Sequence, residues 1–147
     1  MPSGEELIVM VFDTNKQKGN AGLAMAIAYF GSNGYTVSLP LNDTQDYDMI
    51  IDKDGILQKV QCKSTDQKKE NGNYELALSS CGGTKGEVYK TVIDTDVDLI
   101  FALRGDGVMY VIPKKDITAK RKIILCTEKN KFANNGTIDT SKYIVTL

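Results

Sequence analysis

At 147 residues the chain is long enough to bury a core of its own, and we expect one domain spanning residues 1–147. Its 41% apolar and 25% charged content is ordinary for a globular protein, and no apolar run approaches the ~20 residues of a membrane span. Histidine is absent, which excludes His-based triads, His-ligated zinc and an imidazole general base.

The opening "MPSGEELIVMVF" has neither a basic leader nor a small-residue cleavage site, so it does not read as a signal peptide. "DTNKQKGNAGLAMAIAYFGSNGY" predicts a helix over 15–31. Asp13, Thr14 or Asn15 can cap its start, and Leu23, Ala24, Ile27, Ala28 and Phe30 recur at helical spacing. Gly31 and Asn33-Gly34 end it. Gly19 and Gly22 are costly inside a helix, which suits a place where another backbone or a phosphate comes close. "YTVSLP" predicts a strand stopped by Pro40.

After the polar loop "LNDTQD", the stretches "YDMIID" and "ILQKVQCKS" read as hairpin arms, 47–52 against 57–63, around Lys53-Asp54-Gly55. "YELALSS" predicts one further strand and "CGGTKG" a glycine-rich loop. "VDLIFAL" and "VMYVIP" form a second hairpin around Arg104–Gly107. "KKDITAKRKIILC" reads as a helical turn leading into a strand, and "KYIVTL" as a last edge strand. One helix followed by strand pairs implies a mixed α/β sheet with the helix on one face.

Charge is uneven along the chain. Residues 1–52 carry two lysines against seven acids, whereas residues 114–131 carry seven basic residues against two acids. Such asymmetry suits an acidic site beside a basic phosphate-facing region, and also a surface with no such role. The three cysteines, Cys62, Cys81 and Cys126, are odd in number and lack metal-type spacing, which points to reduced thiols in a cytoplasm.

The first hairpin carries the most chemistry. Side chains alternate along a strand, so Gln61 and Lys63 share a face and Cys62 points to the other. Asp48 falls near the open end of the hairpin, beside Gln61 or Lys63. A carboxylate, an amide oxygen and a backbone carbonyl are the oxygen ligands that Mg²⁺ prefers, and a lysine beside them can hold a phosphate or orient water. The same residues also describe a salt bridge at a sheet edge.

"DYDMIIDKDGILQKVQCK" resembles the D-x(n)-(D/E/Q)-x-K core of the PD-(D/E)XK nuclease superfamily, with glutamine in place of the second acid. The flanking pieces "NKQKGNAGLAMAIAYFGSNGYTVSLPLNDTQDYDMII", "SSCGGTKGEVYK" and "VDLIFALRGDGVMYVIPKKDI" are similar to the small homing endonucleases encoded by cyanobacterial introns. The resemblance spans roughly residues 14–125 and implies a restriction-endonuclease-like core. It assigns Asp48 as the main metal carboxylate, Gln61 and the Cys62 carbonyl as further ligands, and Lys63 as the catalytic lysine. Active members usually add a glutamate from the first helix, where this chain has Asn20 and Leu23. Asp13, Asp46 or Glu75 are the acids that could replace it.

The activity so implied is Mg²⁺- or Mn²⁺-dependent hydrolysis of DNA phosphodiesters, homing-endonuclease-like. The alternatives are a catalytically degenerate DNA- or protein-binding member and a branched-DNA resolvase. Lys16, Lys18, Lys85, Lys114, Lys115, Lys120, Arg121 and Lys122 are candidate DNA-backbone contacts, with Tyr89 and the "SSCGGTKG" loop as further approaches. Cutting both strands needs two copies, so a homo-oligomer, dimer or tetramer, is expected. A cytoplasmic protein encoded by a prokaryote or phage follows from the same resemblance, with DNA and not a membrane as the partner.

Overall fold

The computed structural model describes residues 13–82, 88–129 and 138–147, with backbone alone at 80–82, 88 and 89. The N-terminal "LIVMVF", Lys85 and most of the glycine-rich loop lie outside the described residues. Helix α1 (Asn15–Ser32) starts at a capping box. Thr14 Oγ1 accepts from the Gln17 amide at 3.1 Å, and Gln17 Oε1 accepts from the Thr14 amide at 3.2 Å. The chain leaves the helix through Asn33 and Gly34, whose φ of +83° is one that glycine adopts freely.

Strand β1 (Thr36–Ser38) pairs antiparallel with β2 (Met49–Lys53), which pairs antiparallel with β3 (Ile56–Thr65). Lys53 pairs with Ile56 and so belongs to the strand. The turn is Asp54-Gly55 alone, and both residues are left-handed, at φ 55° and 80°. That is the two-residue turn whose twist matches a hairpin. The remaining strands are β4 (Tyr74–Ala77), β5 (Ser79–Gly82), β6 (Val88–Thr91), β7 (Leu99–Arg104), β8 (Met109–Pro113), β9 (Lys122–Leu125) and β10 (Ile144–Val145).

The expected single strand "YELALSS" is in fact two. At Leu78, buried to 1% exposure, the amide donates to Arg121 O at 2.8 Å and the carbonyl accepts from the Val92 amide at 3.0 Å. The backbone changes partner there, so β4 pairs with β9 and β5 with β6. "KYIVTL" supplies its edge strand as expected, β10 against β8.

The main sheet has the order β1-β2-β3-β7-β8-β10, with β3–β7 parallel and every other pair antiparallel. It is the mixed α/β arrangement expected, with the helix on one face. Ala26 and Phe30 of α1 pack on Met49, Ile51, Val60, Phe101, Leu103 and Met109 of the sheet. The opposite face carries Ile100, Ala102, Tyr110 and Ile112 against Tyr74, Leu76, Ile123 and Leu125 of the β4–β9 sheet. Strand β7 is therefore covered on both sides, which is why "LIFAL" is apolar without alternation. Each fully buried side chain of this kind contributes about 1.5–3 kcal/mol.

Two contacts lock the layers together. Arg104, 4% exposed, forms a fork with Asp106 (3.0 and 2.6 Å) and donates to Tyr110 Oη and Leu125 O, with its guanidinium 4.4 Å from the Tyr74 ring centroid. On the other face, a Cβ placed on Gly22 would stand 2.3 Å from Ser64 Oγ. Glycine at that position lets α1 lie directly on β3.

Candidate active site

The site is built where β2 stops and β3 continues. The β2–β3 ladder ends at Met49↔Val60, while β3 runs on beside β7 to Thr65↔Arg104. Asp48 sits at that fork. Its amide donates to Val60 O at 2.9 Å, and its Oδ2 accepts from the Cys62 amide at 2.7 Å. The carboxylate thus takes the place that a strand carbonyl would occupy, satisfying an amide beyond the last ladder pair. Its other oxygen takes no hydrogen bond among the described residues.

Although Asp48 as a residue is exposed, β3 crowds its carboxylate. Burial is the largest influence and raises its pKa above the ordinary value, against the lowering effects of the Cys62 amide and the Lys63 charge. Burial likewise lowers the Lys63 pKa, opposed by the attraction of Asp48. The two groups therefore feel each other electrostatically, though no direct ion pair joins them.

Gln61 and Lys63 stand in register with Ile100 and Ala102, so they share the face turned away from α1. Gln61 Oε1 is buried and has no hydrogen-bond partner among the described residues. Cys62 packs against the α1 cluster on the opposite face, as the alternation requires, and its free thiol is held strongly protonated by burial and by the Asp48 charge. Cys126 is also a free thiol, while the Cys81 side chain falls outside the described residues.

Lys63 opens into a cleft of about 340 Å³ lined by Asn15, Lys18 and Gly19 of α1, by Ser64 and Thr65 at the end of β3, by Gln67 beyond it, and by residues 75–77 of β4. Reading the sequence missed Asn15, Ser64 and Gln67 as cleft residues. The signal was present only as the two glycines, read as room for a close approach.

The basic residues separate into groups. Lys18 lines the cleft and pairs with Asp66 at 3.3 Å, while Lys16 is exposed at the helix start. Lys120 and Arg121 are exposed and line a neighbouring cavity, which meets the cleft at Ser79. Lys122 is exposed and pairs with Glu75 at 3.4 Å. Lys114 and Lys115 line a different pocket with Asp96 and Asp98, and the Lys114 ammonium donates to Thr95 O.

The helix position of interest holds Leu23, which packs half-buried against the α1 cluster. Of the replacement acids, Asp46 is paired with Lys90 at 2.7 Å, Glu75 lines the cleft but is paired with Lys69 at 3.2 Å and with Lys122, and Asp13 is exposed ahead of α1. Among the described residues, no three His, Cys, Asp or Glu side chains gather closely enough to hold a metal. Asp48 and Gln61 nonetheless offer oxygen alone, a donor set that fits a hard divalent cation rather than zinc.

The chain matches the family described as "PD-(D/E)XK endonuclease" over residues 13–141. It is also similar to the solved structure of a bacterial homing endonuclease, I-Ssp6803I. The two share 26% identity at a TM-score of 0.64, over 89% of this chain and 87% of the other. No curated protein matches. No helix of the described residues is long and apolar enough to cross a membrane.

Proposed function

Because the chain belongs to the PD-(D/E)XK endonuclease family, we propose that it is a divalent-cation-dependent DNA endonuclease of the homing type, working at the fork between β2 and β3. The observation that carries this reading is the Asp48 carboxylate, held by the Cys62 amide and feeling the charge of Lys63, together with the buried Gln61 Oε1 that has no partner among the described residues.

Asp48, Gln61 and the Cys62 carbonyl would hold Mg²⁺ or Mn²⁺, which when bound supplies positive charge to stabilise the phosphate as it gains negative charge. Lys63 binds a phosphate oxygen or orients the attacking water from within the cleft. Its burial keeps that ammonium poorly solvated, which strengthens its hold on an anion. Water forms a new P–O bond as the bond to the leaving oxygen breaks. Lys18, Lys120, Arg121 and Lys122 lie around the cleft, where they would grip the DNA backbone, and Lys16, Lys85, Lys114 and Lys115 would extend that contact. With one site per chain, cutting both strands calls for a dimer or tetramer, which light scattering would measure.

A second reading, a DNA- or protein-binding member that no longer cleaves, is favoured by Leu23 and by the engagement of Asp46 and Glu75 in ion pairs. Incubation of the protein with plasmid and with branched DNA, in Mg²⁺, Mn²⁺ or chelator, decides between them. The nuclease reading requires strand cleavage that chelator abolishes, and preference for branched DNA would mark a resolvase. Absence of cleavage with every cation, with DNA binding untouched by Asp48→Asn or Lys63→Ala, removes the nuclease reading.

A further inference from the structure

We propose that Lys18 is a second phosphate-binding ammonium of the cleft, and that Asp66 acts as its latch, a carboxylate that an incoming DNA phosphate displaces. The inference rests on the endonuclease reading and adds to it how the cleft's helix wall receives the substrate.

The geometry begins at Gly22. Its missing side chain seats α1 on Ser64. Lys18 lies four residues earlier on the same side of the helix, about 6 Å along its axis. That offset carries its side chain over the end of β3, where Lys18, Gly19, Lys63 and Ser64 share one cleft. Lys18 and Lys63 thus line one space, whose carboxylate, Glu75, is paired with Lys69 and Lys122, and α1 adds none because its first turn has no acid. Gly19 between Lys18 and Lys63 leaves the approach open.

Lys18 is not free in this state. Its Nζ donates to Asp66 Oδ1 at 3.3 Å, an oxygen that also accepts from Gln67 Nε2 at 3.3 Å. The Lys18 side chain is 21% exposed and that of Asp66 43%. A long contact to one shared oxygen, open to water, is a weak pair. It is strong enough to hold the ammonium over the cleft when empty and weak enough to yield to a DNA phosphate, which can take the ammonium at ordinary hydrogen-bond distance and releases counterions as it binds. Displaced, Asp66 swings into solvent from the exposed segment after β3.

The test is a double-mutant cycle on affinity for a short fluorescein-labelled DNA duplex in EDTA, at several salt concentrations, with Mg²⁺-dependent cleavage followed in parallel. Asp66→Asn should tighten binding about 2–5-fold, the range expected for releasing a surface ion pair. Lys18→Ala should weaken binding and reduce the salt slope by about 1. In the Lys18→Ala background, Asp66→Asn should change nothing, and Lys18→Gln should repeat that result.

An equal gain from Asp66→Asn with and without Lys18 means that Asp66 merely repels DNA, and overturns the latch. So does no gain at all. Coupling between Lys18 and Asp66 without cleavage leaves the latch standing and removes the nuclease reading. Cleavage without coupling does the reverse, and absence of DNA binding in every variant overturns both.

Discussion

The amide of Cys62 and the carboxylate of Asp48 meet at 2.7 Å, across the gap left where β2 ends and β3 goes on. One carboxylate oxygen is thereby committed to the sheet and the other takes no hydrogen bond among the described residues. The same bond fixes the orientation of Asp48 without using a side chain to do so, which leaves Gln61 and Lys63 available on the neighbouring face. A site on a strand end held by the backbone is stiffer than one carried on a loop.

Asp48→Asn should keep the bond to the Cys62 amide through its amide oxygen and so preserve the fold. It should abolish cation-dependent cleavage while leaving DNA binding in EDTA intact or tighter, because an uncompensated negative charge is removed from the phosphate path. Lys63→Ala should also abolish cleavage but weaken binding, since a cationic phosphate contact is lost. Plasmid nicking and fluorescence anisotropy on the same preparations check both outcomes.

The charges of the site should cost stability, in opposite pH ranges. Burial raises the Asp48 pKa from 3.8, so its destabilisation is absent below 3.8 and complete above the folded value. Burial lowers the Lys63 pKa from 10.5, so its destabilisation is complete below the folded value and vanishes above 10.5. At neutral pH, Asp48→Asn and Lys63→Met should each raise Tm by about 1–3 °C, the smaller gain being for the more exposed Asp48. The gain of Lys63→Met should shrink as pH rises towards 10.5, and that of Asp48→Asn as pH falls towards 3.8. Thermal melts monitored by circular dichroism across pH would show the opposite trends.

Gly22 and Ser64 should be coupled. Ser64 Oγ is buried without a partner among the described residues, so Ser64→Ala is expected to be neutral or stabilising. Gly22→Ala alone sets a helix gain of about 1 kcal/mol against a 2.3 Å clash with that hydroxyl. With Ser64→Ala already present, the nearest side-chain atom is the residue 64 Cβ at 3.6 Å, an ordinary contact, and the full gain should appear. Urea denaturation of the two single variants and the double measures the difference.

Arg104 should be the most costly polar residue to remove. Arg104→Ala deletes the fork to Asp106, the bonds to Tyr110 and Leu125 O, and the cover over Tyr74. It should destabilise the protein by about 3 kcal/mol, at the low end for a buried pair because Asp106 remains 39% exposed and can rehydrate. Urea midpoints should show this loss, with Arg104→Lys recovering only a minor part, because an ammonium cannot make the planar fork.

Much of the fold was legible in the residues alone. A cap among Asp13, Thr14 and Asn15, the helical spacing to Phe30, the Asp54-Gly55 turn and the strand alternation that sets Lys63 against Cys62 all act within a few positions of the chain. They depend on local sterics and hydrogen bonding, and so could be read without knowing the fold. What only the tertiary structure decided joins residues far apart in sequence. The parallel pairing of β3 with β7 covers β7 on both faces, and the partner exchange at Leu78 splits one apolar run into two strands. The fates of the charged side chains were decided there too. Lys18 meets Asp66, Lys122 meets Glu75 and Lys114 meets the Thr95 carbonyl, because long flexible side chains take whichever partner the packed backbone brings within reach. The sequence names the charges, but only the folded distances between them determine which are paired.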